Sequence, residues 1–348
     1  MPLITKSLRE YLQGNLVDFS DSCGMSNLVT ATTLTSLVVI LADLREEGAV
    51  LIPEVYICEN LDETLKLLPV KEILPIGVQD SPSEAIAQAI KKCSPLAIEG
   101  WCIYITQGYE KYQFGLFRAS LNPLSISVDQ TLFSEPRETI RLVRLFRTAS
   151  GCVELCNHKG DIYSMLLSDK PATSPLPQAY TSNLVKLVCK DLNYPFKEST
   201  ETYLEKTIRA ALNSCHGAII AVAKTKKIPR FLSDGVVLKV PLDIVSSVSK
   251  LLAKDADNTA EHALNANAAL IKGMISSDGI TVFNTLGFLI AYNCFIASPS
   301  KVSGKVVIGG ARTRAYEALK AKVGKGLEGV FIQSQDGWTK FTGINDGQ

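Results

Sequence analysis

The sequence predicts an α/β protein of two domains, because strand-like and helix-like segments alternate along most of its 348 residues. In both halves, short apolar runs lie between amphipathic stretches long enough to form helices. A proline-rich segment near the middle separates the halves. We therefore predict a mixed sheet flanked by helices in the C-terminal domain, and a smaller N-terminal α/β domain.

The N-terminal domain is predicted to cover residues 1–167. Ser26 or Asn27 is a candidate cap for a helix that runs to about Arg45, and Ser81 is the cap of an amphipathic helix whose inward face carries Ala85, Ile86, Ala89 and Ile90. The remaining segments are predicted to be strands, at 49–58 and 73–77, and two hairpins, formed by 96–106 with 113–119 and by 153–155 with 162–167.

Residues 168–178 read SDKPATSPLPQ, with three prolines and no apolar periodicity, which is typical of a linker. The C-terminal domain is then predicted to cover 179–348. Its predicted helices are 182–192, 200–213, 242–252, 258–271 and 312–323. Its predicted strands are 217–223, 235–240, 275–284, 288–296, 329–333 and 338–342.

Charge and cysteine content narrow the class of protein. The formal net charge of +1 lacks the broad basic field of a duplex-binding protein, so no duplex nucleic acid is expected as a partner. The apolar stretch from Leu28 to Leu44 is interrupted by hydroxyl residues and is short for a membrane span. The nine cysteines are scattered, and the N-terminus lacks the apolar core of a signal peptide. These features predict a cytoplasmic protein with no membrane partner.

Two short C-terminal segments carry the strongest functional signal. Asp278-Gly279-Ile280 places a carboxylate at the start of an apolar strand-like run, and Gly309-Gly310 leads into a predicted helix that begins with Arg312 and Arg314. Guanidinium groups and the open N–H groups of a helix N-terminus bind phosphate, and a carboxylate binds the accompanying metal ion. Together these residue types favour a site for a metal-bound polyphosphate.

Each signal also has an ordinary structural interpretation. Asp-Gly is a common turn dipeptide, a glycine pair often joins a strand to a helix, and two arginines two positions apart are frequently solvated. Asp336 is equally a turn residue within Gln335-Asp336-Gly337. The three histidines and Cys152 with Cys156 lack the spacing of a metal set. The basic turn at 224–230 is ordinarily solvated, although it would also steer an anionic ligand.

Residues from about 200 to 343 resemble the diadenylate cyclase (DAC) domain, which joins two ATP molecules into cyclic di-AMP. The resemblance rests on four landmarks in the family's order, where the family has a strand with Arg-Gly-Ala-Leu, an Asp-Gly-Ala motif, a Gly-Thr-Arg-His-Arg motif opening a helix, and a closing strand with Ser-Glu-Glu. The corresponding segments are His216-Gly217-Ala218-Ile219-Ile220, Asp278-Gly279-Ile280, Gly310-Ala311-Arg312-Thr313-Arg314-Ala315 and Ser334-Gln335-Asp336-Gly337.

The resemblance implies a nucleotide site at particular residues. Asp278 would bind Mg²⁺ or Mn²⁺, or orient the attacking hydroxyl as the catalytic residue of a cyclase, and Asp336 would supply a second metal carboxylate. The implied nucleotide-binding residues are Asp278, Gly279, Gly309, Gly310, Arg312, Thr313, Arg314 and Ser334. Turnover would require two protomers face to face, so the resemblance also implies a homo-oligomer.

The sequence departs from the family's pattern where turnover would be most sensitive. Thr313 replaces the histidine between the arginines, Ala311 replaces a threonine, Ile280 replaces an alanine, and Gln335-Asp336 replaces the Glu-Glu pair. Losing donors at the phosphates weakens transition-state stabilisation more than binding. The double glycine before the arginine motif, Gly309-Gly310, together with a separate N-terminal α/β domain, more closely resembles the DACNV group of bacterial nucleotide sensors.

These departures favour a domain that senses ATP or a cyclic dinucleotide in bacterial signalling or defence and reports it to an effector protein. An active cyclase and an interaction module with a vestigial site remain the alternatives.

Overall fold

The computed structural model describes residues 8–68, 72–118, 123–124, 128–133, 139–149, 151–167, 177–253, 258–296, 301–302, 305–306, 310–335 and 338–344. The chain forms two compact units. Unit 1 comprises Met1–Leu121 and Ile126–Lys170, and unit 2 comprises Asn122–Ser125 and Pro171–Gln348. Both are α/β, in agreement with the predicted class.

Unit 1 is built on a mixed sheet. Its described helices are α1 (Leu8–Cys23), α2 (Ala31–Ala42), α3 (Leu61–Lys66), α4 (Pro82–Cys93) and α5 (Val128–Phe133). Its described strands are β1 (Arg45–Glu46), β2 (Ala49–Val50), β3 (Val55–Cys58), β4 (Glu72–Gln79), β5 (Trp101–Gln107), β6 (Tyr112–Arg118), β7 (Leu142–Ala149), β8 (Cys152–Asn157) and β9 (Ile162–Leu166). Seven of them form one sheet in the order β4-β6-β5-β3-β7-β8-β9, and β1 pairs with β2 separately.

The sheet of unit 1 is mostly antiparallel, with β3 and β5 as a parallel pair. Because side chains alternate between the two faces of a strand, each face buries its own core. Helices α1, α2 and α4 cover one face, where Leu16, Leu37 and Ile90 pack with Ile57. The opposite face buries a smaller core that includes Tyr104 and Leu132 of α5.

Unit 2 also has a mixed sheet. Its described helices are α6 (Pro177–Val188), α7 (Phe196–Ser214), α8 (Ile244–Leu252), α9 (Asn258–Ser276) and α10 (Ala311–Lys320). Its described strands are β10 (Ala218–Ala223), β11 (Leu232–Ser233), β12 (Val236–Asp243), β13 (Ile280–Asn284), β14 (Phe288–Ile296), β15 (Lys301–Val302), β16 (Lys305–Val306), β17 (Leu327–Gln333) and β18 (Thr339–Gly343).

The strand order of unit 2 is β11-β14-β13-β10-β17-β18, with β12 also paired to β14, and β15 pairs with β16 separately. β10 and β13 are parallel, whereas β17 is antiparallel to β10. Helices α6 to α9 contribute to the core on one face, and α10 packs on the other through Tyr316 and Leu319. Helices therefore flank the sheet on both faces, as predicted.

Several predicted elements differ from the structure in extent. α2 begins at Ala31 rather than near Asn27, because Thr30 accepts a hydrogen bond from the Thr33 amide and forms a capping box. The strand predicted from residue 275 begins at Ile280, because α9 continues to Ser276. α6 begins at Pro177, inside the predicted linker. Helix α1 and strand β7 were not predicted. Within the described residues, no helix has the length and apolarity needed to cross a membrane.

Candidate functional site

Three of the sequence landmarks meet at one edge of the sheet of unit 2. Ile219 in β10 lies opposite Ile280 in β13, so the two parallel strands begin side by side. The antiparallel strand β17 ends at the same level, because its Gln333 pairs with Ala218. The segments His216-Gly217, Asp278-Gly279 and Ser334-Gln335 therefore leave the sheet together. We call these six residues the amino edge.

Two glycines allow these segments to lie close to neighbouring backbone. Gly217 has φ of +109°, and a Cβ atom placed on it would lie 2.7 Å from the Gln333 carbonyl oxygen. Gly279 has φ of +95°, and its Cβ would lie 2.8 Å from the Cys294 carbonyl oxygen. Both the left-handed conformation and the contact exclude a side chain. The amino edge is thus built from backbone segments that only glycine permits at these positions.

The fourth landmark is joined to the amino edge by a hydrogen bond. Gly310 is the extended N-cap of α10 and has no side chain to cap the helix, and its carbonyl accepts from the Arg314 amide at 3.1 Å. In the same turn, Nη1 of Arg312 donates to the His216 carbonyl oxygen at 3.1 Å. The positive end of the α10 dipole is consequently held beside the start of β10.

The first turn of α10 carries three of the predicted nucleotide-binding residues. Arg312, Thr313 and Arg314 are all half-buried. Residues two positions apart on an α-helix project in different directions, so Arg312 and Arg314 do not form one fork. The structure brings Arg312 to the amino edge through His216, and Arg314 shares its helical turn.

Two buried hydroxyl groups, those of Ser334 and Thr339, lie at this end of the sheet. Ser334 is 9% exposed, and its amide donates to the Trp338 carbonyl oxygen at 2.9 Å, whereas its Oγ atom has no hydrogen-bond partner among the residues that the structure describes. Thr339, at the start of β18 opposite Gln333, is 3% exposed, and within the described ranges its Oγ1 atom also lacks a hydrogen-bond partner. A buried hydroxyl without a partner costs about 1–3 kcal/mol, so these two groups have unused capacity to bind a ligand or water. Ser334 was predicted from the sequence, and Thr339 was not.

Cys215 directly precedes the amino edge, and its thiol is influenced by Arg312. The sequence alone did not predict this proximity. Burial raises the pKa of its thiol, while the Gly217 amide and the Arg312 guanidinium act in the opposite direction with less effect. The thiol is therefore protonated at neutral pH, which makes it a poor nucleophile. Its role here is packing, as its place in the core of unit 2 indicates.

Asp278 is the exposed carboxylate of the amino edge. Gly309 and Asp336, which the sequence also predicted as site residues, lie outside the described residues. Among the residues that the structure describes, no group of three or more His, Cys, Asp or Glu side chains is placed to hold a metal ion. Mg²⁺ is commonly held by one or two carboxylates together with substrate phosphates. Within the described part of the amino edge, Asp278 is the carboxylate available for that mode of binding.

In comparisons with protein-family models, with curated proteins and with solved structures, nothing matches this chain.

Proposed function

We propose that unit 2 is a nucleotide-binding sensor domain of the diadenylate-cyclase type, which binds ATP or a cyclic dinucleotide at the amino edge in bacterial signalling or defence. The observation that supports this most strongly is that the four motif segments lie close together in space. Four segments that are separated by up to 118 residues in the sequence, from His216 to Ser334, are held together by the β10–β13–β17 register and by the Arg312–His216 hydrogen bond.

The chemistry of the amino edge suits a phosphate group. Arg312 and Arg314 supply fixed positive charge, and the uncapped N-terminus of α10 supplies N–H groups and a favourable dipole. The partnerless hydroxyl of Ser334 donates a further hydrogen bond. Asp278 holds Mg²⁺ or Mn²⁺ against the phosphates. Gly217 and Gly279 let these segments pack closely against neighbouring backbone, which fixes the positions of the groups at this edge.

Binding is favoured over turnover because two of the positions that differ from the cyclase pattern lie in the first turn of α10, where the phosphates would bind. Thr313 stands between the two arginines without a cationic ring, and Ala311 at the first helical position has no hydroxyl. Ile280 is 2% exposed and packs in the core, so its bulk belongs to the sheet rather than to the site. A site with its arginines and carboxylate but fewer donors retains affinity and loses transition-state stabilisation.

The proposal is tested by ligand-induced stabilisation of the full chain. Thermal unfolding is followed with ATP, ATP with Mg²⁺, and cyclic di-AMP, and a ligand at about 100 times its Kd should stabilise the protein by about 2.7 kcal/mol. Arg312→Gln and Asp278→Asn should reduce the shift. Two control variants, Lys239→Gln and Asp191→Asn, remove one positive and one negative charge at exposed positions of unit 2 outside the amino edge and outside loop 224–230, and should leave the shift unchanged.

Chromatography of the protein incubated with ATP and Mn²⁺, read together with the thermal shifts, separates the alternatives. Cyclic di-AMP formed from ATP and Mn²⁺, and lost in Asp278→Asn, would establish the active cyclase instead of the sensor. Absence of a shift with every nucleotide would support the interaction module with a vestigial site.

A further inference from the structure

The opposite edge of the unit 2 sheet carries a concentration of positive charge. β10 ends at Ala223, and the following loop, 224–230, contains Lys224, Lys226, Lys227 and Arg230. β17 begins at Leu327, and the loop before it, 321–326, contains Lys322 and Lys325. We call these six side chains the basic edge. All of them except the half-buried Lys322 are exposed.

The two loops are neighbours in space. Ala223 pairs with Leu327 across the β10–β17 ladder, so the loops leave the sheet side by side. Lys322 extends from loop 321–326 to the residue that directly follows loop 224–230, with its Nζ atom 5.6 Å from the centre of the Phe231 ring. A Cβ atom placed on Gly326 would lie 3.5 Å from the same ring. The basic edge is therefore one continuous surface formed by two loops.

This charge has no acidic counterpart within the loops. Neither loop contains an aspartate or a glutamate. In the part of the chain that the structure describes, none of the six cations forms an ion pair with a carboxylate. The first carboxylate after loop 321–326, Glu328, is 7% exposed and is already bonded by Lys190 at 2.9 Å. Six like charges gathered without partners repel each other, and a polyanion would relieve that repulsion.

The apolar and aromatic side chains near the basic edge pack against the core of unit 2. Ile228, Phe231, Phe288 and Val323 pack against the core beneath α10. The Phe288 ring is covered by Lys226, whose Nζ atom lies 3.6 Å from the ring centre, as Phe231 is by Lys322. These side chains are half-buried, so the basic edge offers little ring surface for stacking on a base and little apolar surface for insertion into a bilayer. What it mainly presents is ammonium and guanidinium groups.

We propose that the basic edge binds the phosphate backbone of a nucleic acid, without sequence specificity. Lysine acts as a point charge toward phosphate, and backbone contacts of this kind carry no sequence information. A membrane surface fits less well, because proteins that lie on a bilayer commonly bury an apolar face in it. The near-neutral charge of the whole chain argues against a broad binding surface, but the local charge of these two loops is +6.

The basic edge is distinct from the proposed nucleotide site. Ala218 and Ala223 are the two ends of β10, which are about 17 Å apart at about 3.3 Å per residue. The two sites therefore lie at opposite ends of the same strands. The nucleic-acid proposal does not depend on the nucleotide proposal, and each has its own variants.

The test measures binding of the full chain to a fluorescently labelled oligonucleotide of mixed sequence, single-stranded and as a duplex, by anisotropy at several salt concentrations. We expect a Kd in the range of about 10⁻⁶–10⁻⁴ M near physiological salt, with affinity that falls steeply as salt increases. The variant Lys224→Gln/Lys226→Gln/Lys227→Gln should bind at least about tenfold more weakly. It should also flatten the log–log salt slope by about two to three, because each phosphate contact contributes about 0.7–0.9.

The control is Lys239→Gln/Lys250→Gln/Lys272→Gln, which removes the same charge from exposed positions of unit 2 outside the two loops and should bind like the unaltered protein. A second variant, Lys322→Gln/Lys325→Gln, tests the other loop if the first unfolds, and thermal unfolding verifies the fold of each. No binding to either oligonucleotide, or binding that both loop variants leave unchanged, would overturn the proposal. So would loop-dependent sedimentation with phosphatidylserine vesicles in the absence of oligonucleotide binding, which would indicate a membrane surface.

Discussion

At the level of single residues, the amino edge depends on two positions, Gly217 and Gly279, that accommodate only glycine. The left-handed φ of Gly217 places its Cα where any side chain would approach the carbonyl group of Gln333. This carbonyl belongs to the residue that pairs with Ala218, so a displacement would separate β10 from β17 at the candidate site. Backbone conformation and ligand site are therefore coupled at one position.

We predict that Gly217→Ala lowers the free energy of unfolding by about 1–3 kcal/mol and weakens nucleotide binding. The physical reason is the added Cβ atom, which would lie 2.7 Å from the Gln333 oxygen in a conformation that alanine avoids. Urea denaturation measures the stability, and the thermal shift with nucleotide measures binding.

Gly273→Ala is the matched control for Gly217→Ala. Gly273 lies within α9, has no positive φ, and has no atom within 4 Å of an added Cβ. Alanine there should stabilise the protein by about 0.5–1 kcal/mol, because glycine in a helix is entropically unfavourable. A loss of stability in both variants, or in neither, would contradict this account of Gly217.

The sequence located several site residues but not the contacts between them. Asp278, Arg312 and Ser334 are recognisable from their motifs, yet the hydrogen bond from Arg312 to the His216 carbonyl joins residues 96 apart. Thr339 has no motif of its own and becomes visible only because its hydroxyl is buried and without a partner. A local sequence motif identifies candidate site residues. Which of them lie next to each other in space depends on the register of the strands that carry them.

At the scale of secondary-structure elements, β7 shows why a strand can be missed. Its sequence, LVRLFRTA, places two arginines in a strand whose residues are mostly buried. Arg144 is tolerated there because Glu54, Asp129 and Glu154 surround it at 3.1, 3.6 and 3.5 Å. Although burial acts in the opposite direction, these carboxylates hold the pKa of Arg144 well above its ordinary value. Partners distant in the sequence thus decide whether a charged residue belongs to a strand.

We predict that Arg144→Met destabilises unit 1 by about 3–5 kcal/mol near neutral pH, because it leaves three carboxylates together without their cation. In the variant, the folded state would favour protonated carboxyl groups more than the unfolded state does. Its stability should therefore increase as the pH is lowered from about 7 to about 5. Urea denaturation at several pH values measures both effects.

Arg45→Met serves as the control for Arg144→Met. Arg45 pairs with Asp43 at 3.0 Å, but its side chain is 44% exposed, so the loss should be below about 1 kcal/mol. A loss of similar size in the two variants, or a variant Arg144→Met that becomes less stable on acidification, would refute the role assigned to the carboxylate cluster.

At the scale of the whole molecule, unit 2 has its own core on both faces of its sheet. Helices α6 to α9 bury one face with residues such as Tyr203 and Phe283, and α10 buries the other with Tyr316. The division of the chain at Lys170 and Pro171 falls inside the proline-rich segment 168–178. The segment Asn122–Ser125 is the exception, since it belongs to unit 2, and its Leu124 packs against the core of that unit.

We predict that a fragment of residues 171–348 folds cooperatively and binds nucleotide with the affinity of the full chain. Loss of Leu124 should reduce its stability by no more than about 2 kcal/mol, because that side chain is only partly buried. Leu124→Ala in the full chain should lower the stability of unit 2 by the same amount. A broad, noncooperative transition of the fragment, when Leu124→Ala leaves the full chain intact, would mean that unit 2 requires unit 1 in order to fold.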